Sequence, residues 1–298
     1  MKCFYHVDHD GHCAAYWVHK RFDKAMDIHK DFIEIDYGYD FKTDVLDKVQ
    51  RDEPIIIVDF SFDPDEMTSL ISMVGAKNIT WIDHHKSAIE KYSNFDTEIA
   101  GIRYDGISGA MLTYIYYFVP EYKENPDKIE DYCIKAPWMT KYVSDYDVWK
   151  YEYGDETTYF ILGLDAENTD IDSSIWDTLA DDHEAVERLI QDGTIIKKYK
   201  DRFNTTCLPR GFEFNLNGHK IFCMNNIRGN STNFMNLIDK YDACLQYYYN
   251  GKFWNYSLYS TKIDCTTVKI CDTQFAGHKG ASGAESKLLF TDLENGVR

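Results

Sequence analysis

Acids and histidines cluster at four places in the chain: His6-Val7-Asp8-His9-Asp10-Gly11, Val58-Asp59-Phe60-Ser61, Asp83-His84-His85 and Ser144-Asp145-Tyr146-Asp147. Residues 6, 8 and 10 alternate, so at an extended strand end His6, Asp8 and Asp10 would project to one side as three hard donors. Crowded carboxylates are costly unless cations neutralise them. Histidine beside aspartate, as in Asp83-His84-His85, suits manganese, iron or zinc better than calcium or magnesium. Each cluster alone also has a plainer reading: a solvated acidic loop at 6–11, or a turn-forming or helix-initiating acid at Asp59. Gly11 would permit a tight turn into the element that follows.

The first three clusters end apolar runs. Strands are expected at 3–7 (CFYHV), 32–37 (FIEIDY), 54–61 (PIIIVDFS) and 78–85 (NITWIDHH), with helical stretches at 11–22, 44–50 and 65–74 between them. Such alternation implies βαβ units and a parallel sheet covered on both faces. In these sheets the functional crevice forms at the carboxyl ends of the strands. From 107 to 200 the pattern is mainly helical, and the last helical run is long and charged enough to connect two domains. Beyond Cys207 short β-rich runs take over, with hairpin turns expected at Asn217–Gly218 and Asn250–Gly251. The fold class is therefore α/β. A parallel-sheet domain with flanking helices is expected over 1–185, a linker helix over 186–206 and a smaller α+β domain over 207–298.

Length allows two domains, and composition is ample for packed cores. The chain has 298 residues and is 44% hydrophobic, with 23 Tyr, 17 Phe and 6 Trp, which argues against disorder. No apolar run approaches the ~20 residues of a membrane span, and MKCFYHVDHD lacks the pattern of a signal peptide. No membrane partner and a cytoplasmic location are expected. The eight cysteines are scattered without a C-x-x-C pair, so reduced, packed thiols are expected. Formal charge is −18, from 50 acidic and 32 basic residues, and the basic runs are short and interrupted. Proteins that track long polynucleotides carry basic stripes. The acidic balance argues against long duplex DNA and for a small anion held locally.

In order, H-x-D-x-D-G, D-x-S, D-H-H and S-D resemble the motifs of the DHH phosphoesterases. That superfamily includes single-strand exonucleases of the RecJ type, nanoRNases, cyclic-dinucleotide phosphodiesterases, phosphoadenosine phosphatases and family II pyrophosphatases. The C-terminal part resembles the DHH-associated domain of the nanoRNase-like branch. It does so in Ser257-Leu258-Tyr259-Ser260, Ile263-Asp264-Cys265-Thr266, Phe275-Ala276-Gly277-His278-Lys279-Gly280 and Asn230-Ser231. The likeness spans nearly the whole chain and is thinnest between about 150 and 205. Two positions depart from the pattern: Tyr259 stands where an arginine is usual, and Ala276 replaces a glycine of the loop before Gly277-His278.

The resemblance implies a metal-dependent phosphodiesterase that hydrolyses short oligonucleotides or linear dinucleotides to mononucleotides, with the active site in a cleft between the domains. It implies two divalent ions, manganese first and magnesium or cobalt as alternatives. One would be held by His6, Asp8 and Asp59, the other by Asp10, Asp59, His84 and Asp145, with Asp147 as the alternative to Asp145. Asp59 would bridge both ions and, with His85, carry the catalysis. His85, Ser231, Gly277, His278, Lys279 and Gly280 would bind substrate, and Asp83 would orient a histidine. The partner is then a small phosphate ester or short nucleic acid, and a homodimer is left open. Alternatives within the resemblance are a cyclic-dinucleotide phosphodiesterase and a 3′,5′-bisphosphate nucleotide phosphatase. A non-catalytic nucleotide-binding protein of the same fold is the alternative outside enzymes.

Overall fold

The computed structural model describes residues 1–36, 38–226 and 230–292, with the side chains of residues 277, 278 and 292 outside the description. The chain divides into two compact units, Met1–Ile195 and Ile196–Arg298.

The first unit is built on a parallel sheet in the order β2-β1-β3-β4, from β1 (Lys2–His6), β2 (Phe32–Ile35), β3 (Ile55–Val58) and β4 (Ile79–Ile82). Successive side chains along each strand face opposite ways and enter different cores. Cys3, Tyr5, Ile56, Val58 and Ile82 join one core, while Phe4, Ile55, Ile57, Ile79 and Trp81 join the other. This explains why the strands read as continuous apolar runs rather than alternating ones. Helices α1 (His9–Phe22) and α2 (Pro64–Val74) follow β1 and β3, and the short α3 (Lys86–Lys91) follows β4. The stretch around 44–50 forms a short π turn and a 3-10 turn over Phe41–Lys48 rather than a full helix. A helical segment completes the unit: α4 (Gly109–Phe118), α5 (Ile129–Tyr132), α6 (Trp138–Asp147), α7 (Asp155–Leu164) and α8 (Ile175–Asp181). Helix α9 (His183–Cys207) contains the point where the chain passes from one unit to the other.

The second unit carries a six-stranded mixed sheet in the order β11-β12-β8-β7-β6-β5. Its strands are β5 (Phe212–Leu216), β6 (His219–Asn225), β7 (Ala243–Tyr249), β8 (Trp254–Tyr259), β11 (Ala276–His278) and β12 (Ala281–Ser286). The short pair β9 (Lys269–Ile270) and β10 (Thr273–Gln274) stands beside it. Asn217 and Gly218 form the two-residue turn between β5 and β6, both with positive φ (52° and 87°), as a turn matched to strand twist requires. Between β7 and β8 the connection is longer, because Tyr249 pairs with Trp254. There the Asn250 side chain accepts from the amides of Lys252 and Phe253, so the expected two-residue turn is a four-residue loop. All eight cysteines are free thiols, and no described helix is long and apolar enough to cross a membrane.

Candidate metal centre

The carboxyl ends of β1, β3 and β4, the start of α1 and the C-terminus of α6 bring acids and histidines of the first unit to one place. His6, Asp8 and Asp59 present donor atoms within 4.8 Å of one another, as do Asp10, His84 and Asp147, and Asp59, His84 and His85. His84 Nε2 lies 3.2 Å from Asp59 Oδ1, 3.2 Å from Asp147 Oδ2 and 3.7 Å from Asp10 Oδ2. His6 Nδ1 lies 2.8 Å from Asp8 Oδ2 and 3.8 Å from Asp59 Oδ2.

Local structure fixes each donor. Asp8 caps α1, accepting the Gly11 amide at 2.9 Å with one oxygen while the other faces His6. Gly11 lies inside α1 rather than in a turn before it, and its role is close approach. A Cβ there would sit 2.1 Å from the His6 carbonyl oxygen, so only glycine lets α1 lie this near β1. Asp10 is 2% exposed, and its carboxylate accepts the Gly109 and Ala110 amides at 2.6 and 3.0 Å. It therefore sits at the positive end of α4, where an anion is favoured. Gly109 is also steric: a Cβ would meet the Asp59 side chain at 2.6 Å. Asp59 holds a left-handed backbone, φ 53°, which is uncommon outside glycine and carries strain of about 1–3 kcal/mol.

Asp83 is fully buried and is the hub of a positioning network. It accepts the Ser61 hydroxyl, the His84 amide at 2.8 Å and His85 Nδ1 at 2.7 Å. The serine of the D-x-S motif thus orients an aspartate that orients His85, leaving His85 Nε2 for another partner. Burial would lower the His85 pKa, but the Asp83 hydrogen bond and charge outweigh it and hold it above its ordinary value.

Asp145, expected as a metal ligand, does not face this cluster. Its carboxylate accepts the Glu152 and Tyr153 amides at 2.8 and 3.3 Å and the Thr157 hydroxyl, tying the turn after α6 to the start of α7. Two residues along a helix point to different sides, so the same helix end turns Asp147 toward His84 instead. The sequence could not separate the two, because only the bond partners at 152–157 decide which side is which. The sequence carries no local signal at Gly109, or at Asp36, whose Oδ1 is 3.9 Å from His6 Nε2.

The cluster is electrostatically incomplete. Both Asp59 oxygens, Asp147 Oδ2 and His84 Nε2 are buried without a hydrogen-bond partner, the close contacts to His84 being misaligned. Burial, then the Asp10 and Asp8 charges, push the Asp59 carboxyl well above its usual range, and the same causes act on Asp147. Asp147 also ends α6, where the helix dipole opposes a negative charge. Burial pulls His84 down, toward the neutral form that binds metals. Carboxylate and imidazole atoms without hydrogen-bond partners converging in this way fit a divalent cation.

In the second unit, the expected Gly-rich loop is largely strand. Residues 276–278 and 281–286 pair as β11 and β12, leaving Lys279 and Gly280 as an exposed two-residue turn. Their carbonyls accept the Cys265 and Ser260 amides at 2.8 and 2.9 Å. Gly277 and His278, expected to bind substrate, have side chains outside the described residues. Ser231 begins a 3-10 turn capped by Asn230. Tyr259 packs on Phe234, ring centroids 6.1 Å apart, against a small core.

No protein-family model and no curated protein matches the chain. Among solved structures, the DHH domain of a protein assigned to a ribosomal-protein family matches with a TM-score of 0.55 at 15% identity, covering 94% of this chain and 81% of that one. The chain has the fold of the DHH-domain proteins. Weaker matches include RecJ in complex with Mn2+ from Thermus thermophilus, at TM-score 0.48 and 10% identity over 99% of this chain and 50% of that one. Another is a pGpG-specific phosphodiesterase from Vibrio cholerae, at TM-score 0.45 and 12% identity over 99% and 95% of the two chains.

Proposed function

We propose that the chain is a divalent-metal-dependent phosphoesterase acting on short oligonucleotides or linear dinucleotides and releasing mononucleotides. The observation that carries this reading is the pair of buried oxygens Asp59 Oδ1 and Asp147 Oδ2, neither with a hydrogen-bond partner, each 3.2 Å from His84 Nε2 at the strand ends. His6, Asp8 and Asp59 would hold one ion; Asp10, Asp59, His84 and Asp147 would hold the other, manganese being the first choice. Ions bound there would lower the pKa of a water toward neutrality and offset charge on a phosphoryl group. Asp10 and Asp8 keep their carboxylates fixed through backbone amides, so the donor set is preorganised. His85, oriented by Asp83, whose hydrogen bond and charge raise its pKa, would offer Nε2 to a phosphoryl oxygen or to the leaving oxygen. The resemblance would add Ser231, Gly277, His278, Lys279 and Gly280 as substrate-binding residues.

The acidic balance supports small substrates, because long polyanions are repelled while one or two phosphates are held by the local cations. Protein stripped of metal and resupplied with manganese should release mononucleotides from linear dinucleotides faster than it acts on cyclic dinucleotides or bisphosphate nucleotides. On RNAs of two, five, ten and twenty-four nucleotides, kcat/KM should fall with length, and added salt should narrow the gap. Equal efficiency on the longest and shortest RNA at low salt would make the protein a general exonuclease. No metal-dependent release from any of these substrates would reject the reading altogether.

A further inference from the structure

Helix α9 carries an exposed stripe that no part of the metal chemistry uses. Ile195, Tyr199 and Phe203 are 65%, 69% and 47% exposed and recur every four residues. At 3.6 residues per turn they share one face with Lys198 and Arg202, all five within an arc of about 140°. The Tyr199 and Phe203 rings lie near-parallel, 25° apart in plane with centroids 6.5 Å apart. Lys198 and Arg202 are also exposed. Among the described residues neither has a carboxylate within ion-pair distance, whereas Lys197, on another side, is held by Asp201 at 2.6 Å.

We propose that this face of α9 is a binding platform for single-stranded nucleic acid. Bases would lie on Tyr199 and Phe203, and Lys198 and Arg202, about 6 Å apart along the axis, would meet phosphates beside them. The composition selects this occupant. An aliphatic partner surface would not call for cations, and a folded anionic partner would not call for paired open rings. A second copy of the chain is disfavoured by size, since stable interfaces use roughly 20–30 residues a side and the stripe offers a handful. The inference rests on the nucleic-acid part of the proposed function and narrows it to single-stranded oligonucleotides rather than bisphosphate nucleotides.

The test uses the full chain carrying Asp59→Asn, so that the probe survives, and a fluorescein-labelled ten-nucleotide RNA read by anisotropy. Adding Tyr199→Ala and Phe203→Ala should raise Kd at least about fivefold, and an abasic probe of equal length should bind as weakly as that variant. Lys198→Gln with Arg202→Gln should also raise Kd and flatten its dependence on salt. Unchanged thermal melting of both variants separates these effects from misfolding. Parental affinity in both variants, or equal binding of the abasic probe, overturns the proposal. So does a dimer in sedimentation that the aromatic variant dissolves while RNA binding is unchanged, which would make the stripe a self-association surface. Hydrolysis of dinucleotides by the wild type, scored separately, shows whether the platform or the underlying reading has failed.

Discussion

The two units differ in whether they leave buried polar atoms without partners. In the second unit, Asn204, Asn233 and Gln246 are each under 5% exposed, and their amides bond to one another, Asn233 Nδ2 to Gln246 Oε1 at 2.9 Å. In the first, Asp59, His84 and Asp147 bury ionisable atoms with no such partner. Every described buried side-chain atom that lacks a hydrogen-bond partner belongs to the first unit. A satisfied amide network stabilises a fold and asks for nothing more, whereas converging unsatisfied charges cost stability until something of opposite sign arrives. Buried polar atoms without a partner therefore mark the candidate ligand site of the first unit, His19 Nδ1 being the described one outside it, whereas partnered ones such as Asp145 and Asn233 serve structure in both units.

The strongest way to break this contrast is Asp59→Asn. It should abolish metal-dependent hydrolysis, by about 10³-fold or more, and remove the rise in melting temperature that manganese gives the wild type. Saturating metal at about 100 times its Kd should stabilise the wild type by about 2.7 kcal/mol, measured by thermal unfolding with and without chelator. A full manganese-induced shift in the variant would mean that Asp59 is not at the heart of the site.

Next in size is the pair Asp147→Asn and Asp145→Asn. Calorimetric titration with manganese should show a binding event lost in the first. In the second, metal binding should persist with weaker affinity, while the Glu152, Tyr153 and Thr157 donors lose a full acceptor and folding stability drops by about 1–3 kcal/mol. The reverse pattern would restore Asp145 as the ligand.

A smaller effect concerns pH. In metal-free protein the folded state holds the Asp59 and Asp147 carboxyls above their ordinary value of 3.8, so the fold favours their protonated forms. Their contribution to stability is present below about that pH and lost as pH rises through the raised folded values. Relative to Asp59→Asn, metal-free wild type should lose stability on going from acid to neutral pH, and manganese should reverse the loss. Chemical denaturation across that range checks the sign.

The smallest effect belongs to the second unit. Asn233→Ala should cost about 1–3 kcal/mol and leave the manganese titration untouched, because only an amide network is broken. Any change in metal stoichiometry would show that the two kinds of buried polarity are coupled.

By itself the sequence determined the parallel sheet and the positions of the acid and histidine clusters. Those features are local: apolar runs of strand length, turn residues between them, and ligand-type side chains a residue or two past each run. The Asn217–Gly218 turn was equally legible, because its positive φ angles are demanded by the residues themselves. What only the tertiary structure decided depends on partners far along the chain. Asp145 and Asp147 are interchangeable in a string of letters. They become different when Thr157 and the amides at 152 and 153 claim one carboxylate and leave the other facing His84. Gly109 reads as an ordinary residue until α4 is laid against Asp59, where no Cβ fits and the helix amides hold Asp10 from 99 residues away. The Gly-rich stretch at 276–283 reads as a loop because glycine signals freedom, yet pairing with β8 through β12 imposes strand geometry that the local sequence does not prefer.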